Sequence, residues 1–373
     1  VYKRQEENHF EQNIQFLLMG DNQLAKKWRL GYTAGANIMY LKFEQLSASV
    51  QNMLEKDNWI FNTGNKLTSA LDDGHSRAMY SAFASAQLAY DEWLSLDITA
   101  RNDWSSTLPK KNNSFFYPSV SLSWVFSDFM RSIDHKLPSW ITFAKLRVSA
   151  AQVGKDPAPY NLYNVRKYQF EMGNRKPINN TIKLNANLKP EIKTSYEVGV
   201  DMKFLDNRLG FDFTYYYNTT KNQAMLVDAS SPWTQQWVNA GKINNTGVEF
   251  MLYGTPVKTR DFQFDITANL AHNSSTVKEL ADGVNRVYFA GDSNMPVKVG
   301  AVKGGKLGDI FANNLMQRDA QGRVIIGADG LPMAATGDGN LEQYLLDHPI
   351  GNIQPDLLMS ITCLLYTSPS PRD

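Results

Sequence analysis

Leu94-Ser95-Leu96-Asp97-Ile98-Thr99-Ala100-Arg101 alternates apolar with polar residues along its whole length. Successive side chains in a strand point to opposite faces, so this stretch builds one apolar and one polar face. The same rhythm returns in Val198-Gly199-Val200-Asp201-Met202-Lys203-Phe204 and in Phe211-Asp212-Phe213-Thr214-Tyr215-Tyr216-Tyr217-Asn218. It returns again in Phe262-Gln263-Phe264-Asp265-Ile266-Thr267-Ala268-Asn269-Leu270. Runs of about ten residues let a tilted strand cross a bilayer, whereas strands of soluble sandwiches are nearer five or six. A closed barrel is the only sheet that satisfies its backbone in lipid. The expected fold is all-β, an antiparallel transmembrane β-barrel.

The totals agree with that reading. The chain has 373 residues. Its mean hydropathy is −0.39. It contains no apolar run long enough for a transmembrane helix. Barrel strands are half polar and score low on hydropathy, so this does not argue against a membrane. The 17 Tyr, 19 Phe and 8 Trp suit the aromatic girdles of a barrel. A large aromatic core or a sugar-binding surface would use them too. Lys and Arg number 38 against 37 Asp and Glu, with no basic face of the kind nucleic acid requires.

Both ends read as unnatural. The chain opens at Val1 without an initiator Met or a signal peptide, as expected of a fragment. Residues 1–362 read as a partial barrel domain. Cys363-Leu364-Leu365-Tyr366-Thr367-Ser368-Pro369-Ser370-Pro371-Arg372-Asp373 breaks the local pattern and resembles a translated transposase adapter from sequencing libraries. The hypothesis is that 363–373 is a non-native tail; a genomic read that still encodes it would refute this. The chain's one cysteine, Cys363, belongs to that tail.

Strands are expected at Trp28–Tyr40, Ala78–Tyr90, Trp93–Asn102, Tyr117–Phe126, Phe143–Val153, Ser195–Leu205, Leu209–Asn218, Trp237–Lys242, Gly247–Tyr253 and Phe262–Asn273. Residues before about Asn22 show no pattern. Residues 46–73, 103–115, 154–190, 221–236 and 274–307 read as loops, rich in Asn, Gly and Pro. Links such as Leu205-Asp206-Asn207-Arg208 are short, and short turns at one end with long loops at the other are the habit of outer-membrane barrels. The expectation is about ten to twelve strands, with the hairpin repeated at no fixed period. Ser95, Asp97, Thr99, Arg101, Asp201, Lys203, Asp212, Thr214, Asp265, Thr267 and Asn269 should face the interior. Leu96, Ile98, Val200, Met202, Phe213, Phe264 and Ile266 should face lipid.

Arg101-Asn102-Asp103-Trp104-Ser105-Ser106-Thr107-Leu108-Pro109 followed by Phe116-Tyr117-Pro118-Ser119-Val120-Ser121 resembles the SusC/RagA family of TonB-linked outer-membrane proteins. So do Phe143-Ala144-Lys145-Leu146-Arg147-Val148-Ser149-Ala150-Ala151-Gln152-Val153-Gly154 and Leu188-Lys189-Pro190-Glu191 with Ser195-Tyr196-Glu197-Val198-Gly199. Asn245-Thr246-Gly247-Val248-Glu249 and Ile350-Gly351-Asn352-Ile353-Gln354-Pro355-Asp356 are similar to its later signatures. The matches keep their order from about Trp28 to Met359. The resemblance implies a 22-stranded barrel, of which this chain would hold about half, in the outer membrane of a Gram-negative cell. It implies an N-terminal plug, absent from this chain, that couples to the TonB complex. It also implies a SusD-like surface lipoprotein as partner and import of oligosaccharides or peptides.

No catalytic set emerges, so the chain is not expected to be an enzyme, and no cofactor is implied. His9, His75, His135, His272 and His348 are not spaced for a metal site. There is no G-x-S-x-G elbow. Gly300-Ala301-Val302-Lys303-Gly304-Gly305-Lys306-Leu307 nearly spells a phosphate loop, but Leu307 stands where Ser or Thr must reach the metal, and a turn is the better reading. Asp72-Asp73-Gly74 and Asp338-Gly339-Asn340 lack a full calcium ligand series and read as turns. Arg101, Asn102, Asp103 and Trp104 are the candidate ligand contacts: an aromatic face beside hydrogen-bonding groups suits a sugar. The structural alternative is favoured, with Arg101 pairing Asp103 and Trp104 at the membrane interface. Loops 46–73, 154–190 and 274–300 are further candidates. The alternatives to an importer are a soluble all-β carbohydrate-binding or adhesin-like domain and an outer-membrane enzyme barrel.

Overall fold

The computed structural model describes residues 2–55, 57, 64–135, 137–163, 167–171, 174–178, 181–290, 297–312, 314–335 and 345–367. The strands are β1 Tyr2–Ala25, β2 Trp28–Met53, β3 Gly64–Tyr90, β4 Leu94–Ser105, β5 Ser114–Val125, β6 Ile141–Lys155, β7 Lys167–Glu171, β8 Asn174–Ile178, β9 Ile182–Lys183 and β10 Glu191–Phe204. They continue with β11 Leu209–Lys221, β12 Ala224–Asp228, β13 Gln235–Asn239, β14 Lys242–Lys258, β15 Phe262–Glu279, β16 Arg286–Ala290, β17 Val297–Val302, β18 Asp309–Ala312, β19 Gly351–Asn352 and β20 Leu358–Thr367. A helix, α1 Phe126–Ser132, follows β5. Eleven strands form one antiparallel sheet in the order β1-β2-β3-β4-β5-β6-β10-β11-β14-β15-β20, and the others make small sheets in the loops.

Register turns the alternation of each strand into two faces of the whole sheet. Gln87, Asp97, Ser121, Ser149, Glu197, Tyr216, Gly247 and Asn273 lie side by side on neighbouring strands, a row without one aliphatic side chain. One residue along lies Leu88, Leu96, Leu122, Val148, Val198, Tyr215 and Val248. Ile98 is 49% exposed and Val198 44%, so this apolar face is bare rather than packed on a second layer. Water does not favour such a surface, and lipid does.

Aromatic residues mark both edges of the apolar band. At the short-turn end the Trp28 and Tyr90 rings lie 4.8 Å apart, Trp93 meets Phe129 of α1 at 4.8 Å, and Trp140 stacks on Phe204 at 5.7 Å. Towards the other end stand Tyr80, Trp104 and Phe116, all well exposed. Leu94 and Trp104 are ten steps apart on β4. That is about 33 Å of strand, or about 25 Å of bilayer at a tilt of about 40°, the height of an outer-membrane apolar band.

Several expectations need correction. Residues 46–53 and 64–73 are not loop: β2 runs to Met53, and β3 begins at Gly64. Asp72 and Asp73 pair with Leu46 and Gln45 within the sheet instead of making a turn. The unpatterned N-terminal stretch is β1, paired with β2 from Tyr2 onward. In β2 and β3 the added residues run past the bilayer, where both faces meet water and alternation is no longer required, whereas in β1 the alternation at membrane level is broken by Leu17 and Met19 on the polar face and by Gly20 and Asn22 on the apolar one. Pairing to a neighbour holds such a strand, and no single-strand pattern reveals it. Trp237 belongs to β13 of a small loop sheet rather than to the barrel, and Phe126 opens α1. The Asp338–Asn340 motif lies outside the described residues.

Two clusters of buried apolar side chains sit among the loops at the long end, because a single sheet has no interior of its own. Leu188, wholly buried, packs with Leu108 and Phe115, and Trp237 lies against them. Met225, Val227, Ala240 and Val287 make a second cluster. Beyond them, Leu315–Ala335 folds on itself in a ring: Gln317 N–H donates to Met333 C=O, Met333 N–H to Ile325 C=O and Ile325 N–H to Gln317 C=O. The three residues recur every eight positions, a local period that the hairpin reading overlooked. Asp319 caps its first turn, with Oδ1 accepting the N–H groups of Gln321 and Arg323 and Oδ2 the Arg323 Nε–H. These bonds, led by the Arg323 N–H, hold the Asp319 carboxyl below its usual pKa.

Candidate functional site

The polar face of the sheet carries the chemistry, and three interior glycines show how it is built. Arg147 on β6 lies flat across β10 to reach Asp212 on β11, at 2.7 and 2.6 Å, with Thr214 Oγ1 at 2.6 Å. The residue it crosses is Gly199, where a Cβ would stand 2.4 Å from Arg147 Nε. Tyr216 on β11 crosses Gly247 on β14, and its hydroxyl donates to Asn273 Oδ1 on β15 at 3.1 Å. Tyr253 lies over Gly210 in the same way. A glycine inside a strand commonly marks close approach by another group, and at Gly199 and Gly247 it lets a long side chain bridge three strands.

The Asn273 contact opens into a network joining two of the sequence signatures. Ser275 Oγ meets Asn245 Oδ1 at 2.5 Å and Gln354 Oε1 at 3.2 Å, and Asn273 Nδ2 donates to Gln354 Oε1 at 3.2 Å. Asn352 Nδ2 donates to Asp309 Oδ1 at 2.9 Å. The segment around Gln354 is thereby tied to the polar ends of β14 and β15.

The candidate set Arg101–Trp104 divides between the faces. Arg101 and Asp103 are on the polar face and pair at 2.8 Å. Tyr117 Oη–H donates to Asp103 Oδ2 at 2.5 Å, and Arg101 Nη2–H to Ser81 Oγ at 2.9 Å. Asp103 is 3% exposed, so this carboxylate is committed to its neighbours. Asn102 and Trp104 point the other way, Asn102 bonding Ser114 Oγ at 3.0 Å and Trp104 lying 39% exposed at the upper aromatic edge. The four residues thus form no single cluster.

A second buried carboxylate, Asp156, was not found in the sequence. It accepts from Arg77 Nη2 at 2.5 Å, Ser105 Oγ at 2.5 Å and Thr107 Oγ1 at 2.8 Å. Its partners come from β3, β4 and the loop after β4, so it fastens the start of the 156–163 segment to the sheet. Tyr160 continues the contact, its hydroxyl accepting Ser76 N–H at 3.1 Å. Arg147 carried one usable signal: a glycine, Gly199, in the middle of a strong strand pattern. Asp156 carried none.

The other motifs stay structural. Among the described residues no group of three or more His, Cys, Asp or Glu is placed to hold a metal ion. His9 and His75 flank the Phe43 ring at 4.8 and 5.1 Å, and His272 Nδ1 sits 2.5 Å from Asp356 C=O. In the glycine-rich turn, Gly304 N–H bonds Val277 C=O and Gly305 N–H bonds Val302 C=O. Those donors are spent on the protein and cannot cradle a phosphate.

The family model described as "TonB dependent receptor-like, beta-barrel" matches residues 4–301. The chain is 27% identical over 285 residues to TonB-dependent receptor SusC of Bacteroides thetaiotaomicron, covering 71% of this chain and 27% of that protein. It is 27% identical over 213 residues to a TonB-dependent receptor of Formosa agariphila, covering 55% of this chain and 21% of the relative. Among solved structures, a chain of the RagAB peptide transporter superposes with a TM-score of 0.78 at 19% identity, covering 98% of this chain and 40% of that one. At that identity the likeness speaks to the fold. The chain spans about a quarter of the length of the curated relatives it matches.

Proposed function

This chain belongs to the TonB-dependent receptor-like β-barrel family of the outer membrane, and on that premise we propose that it forms part of the barrel wall of a SusC-type nutrient importer. Its whole protein takes up oligosaccharides or peptides, receives them from a SusD-like surface lipoprotein, and is energised by the TonB complex through a plug. The observation that carries this reading is the two-faced sheet: an apolar face of bilayer height between aromatic edges, backed by a polar face of Arg147–Asp212 and Tyr216–Asn273 contacts. A soluble saccharide-binding domain would have to leave that apolar face in water. The family is one of transport, and on the inner wall Arg147 pairs with Asp212 and Arg101 with Asp103.

Arg101 and Asp103 then act as lining of the inner wall below the loops, and Trp104 as an interfacial anchor. The change from alternation after Thr362 supports reading 363–373 as foreign: Ser360 and Thr362 lie opposite Asn269 and Thr267, whereas Leu364 lies opposite Asp265. The test is affinity purification of the tagged full-length protein from its own outer membrane, with uptake of labelled oligosaccharide and peptide by cells with and without the gene. Co-purification of a surface lipoprotein and loss of one uptake activity on deletion are expected. A protein released without detergent, or unchanged uptake of both substrates, would refute the importer.

A further inference from the structure

We propose that the mouth of the barrel carries a subsite for one uronic-acid residue of an oligosaccharide; this rests on the importer reading above and narrows its substrate to an acidic glycan. A cavity of about 260 Å³ lies at the long-loop end, bordered by Lys155, Lys189, Glu191 and Trp237, with Pro157 and Ala158 beside them. Lys155 and Glu191 are partners at the long-loop ends of β6 and β10, on the face of the sheet that carries Ser149 and Glu197. The cavity therefore stands on the polar side, at the outer end of the lumen.

The walls are held in place without using the charged ends that border the cavity. Trp237 packs on the buried cluster of Leu108, Phe115 and Leu188 and lends its remaining surface to the cavity. Its carbonyl accepts Asn185 Nδ2–H at 3.1 Å. Lys189 is clamped through its backbone: its N–H donates to Asn239 Oδ1 at 2.7 Å, and its C=O accepts Asn239 Nδ2–H at 2.8 Å. Asp156, also at the border, is spent on Arg77, Ser105 and Thr107. By contrast, among the described residues no hydrogen bond or ion pair engages the Lys155 ammonium, the Lys189 ammonium or the Glu191 carboxylate. Two free cations against one free anion leave an excess of positive charge beside an indole. A uronate answers both features within one rigid residue, because its carboxylate is joined to the ring whose C–H face lies on the aromatic surface. The lysines meet that carboxylate, and Glu191 accepts from a ring hydroxyl. At about 260 Å³ the cavity is below the usual ligand pocket of about 300–1,000 Å³, so it takes one such residue rather than a chain. An acidic peptide would bring its carboxylate on a flexible arm, with an ordering cost that the ring does not incur.

The test is calorimetric titration of the full-length protein in detergent with trimers of galacturonate, glucuronate and mannuronate, their methyl esters, a neutral galactose trimer and triglutamate. At least one uronate trimer should bind, and its methyl ester should bind about twentyfold more weakly, because both ion pairs are lost. Lys155→Gln and Lys189→Gln should each weaken the acid about fivefold, and Lys258→Gln, at the short-turn end of β14, should leave it unchanged. Added salt should weaken binding to wild type more than to the double Gln variant. The ester comparison uses wild type alone, so it decides the question even where a variant does not fold. No uronate binding, equal binding of acid and ester or of the neutral trimer, or a preference for triglutamate would each overturn the proposal and leave the importer standing. Solubility without detergent would instead overturn the importer reading.

Discussion

Replacing Gly199 with Ala isolates the bridging arrangement of the inner wall. In an ordinary strand, Gly→Ala stabilises by about 0.5–1 kcal/mol, because glycine loses more backbone freedom on folding. Here the new Cβ would lie 2.4 Å from Arg147 Nε and 2.6 Å from Cζ, so the guanidinium must leave its place. It then forfeits both bonds to Asp212 and the one to Thr214. The pair is about one-third exposed, at 39% and 26%. Its loss therefore falls between a surface pair, below about 1 kcal/mol, and a buried one, at about 3–5 kcal/mol. With the strain of overpacking, the expected net cost is about 2 kcal/mol. In an Arg147→Ala background the obstruction is gone, and Gly199→Ala should stabilise by about 0.5 kcal/mol. Equilibrium urea unfolding of the refolded full-length barrel in lipid bilayers measures the cycle. The same sign in both backgrounds would refute the bridge and leave Gly199 a plain strand residue.

Three further outcomes follow from named contacts. Ile98→Arg places a charge near the middle of the apolar band and should cost about 2–4 kcal/mol in the same assay, whereas Asp97→Leu should cost less; the reverse order would exchange the faces. Asp156→Ala should leave the barrel folded but speed amide hydrogen exchange in residues 105–107 and 156–160, because it removes the shared acceptor of Arg77, Ser105 and Thr107; unchanged exchange there would show that the loop is held elsewhere. The order that Asp319 contributes to the Leu315–Ala335 ring is present above the ordinary carboxylate pKa of 3.8 and is lost as pH falls through its lower folded value. Asp319→Asn should remove that acid-dependent step from hydrogen exchange in the ring, and persistence of the step would assign it to another group.

The sequence by itself determined which residues face which way across the bilayer. Leu96, Ile98 and Val200 against Asp97, Thr99 and Asp201 follow from a two-residue period, a local property that lipid on one side and water on the other enforce strand by strand. It also determined which end carries the short turns, since Leu205–Arg208 leaves no room for a longer path. Tertiary structure alone decided the rest. β2 and β3 continue far past the membrane because each is hydrogen-bonded to a neighbour, and pairing is not written in either strand alone. Arg147 reaches Asp212 over Gly199, and Tyr216 reaches Asn273 over Gly247, only because register sets those residues in line across three strands. Asp156 finds Arg77, 79 positions away, once the strands between them are in place. Side-chain direction is fixed by neighbours in the chain; contact between strands is fixed by neighbours in space.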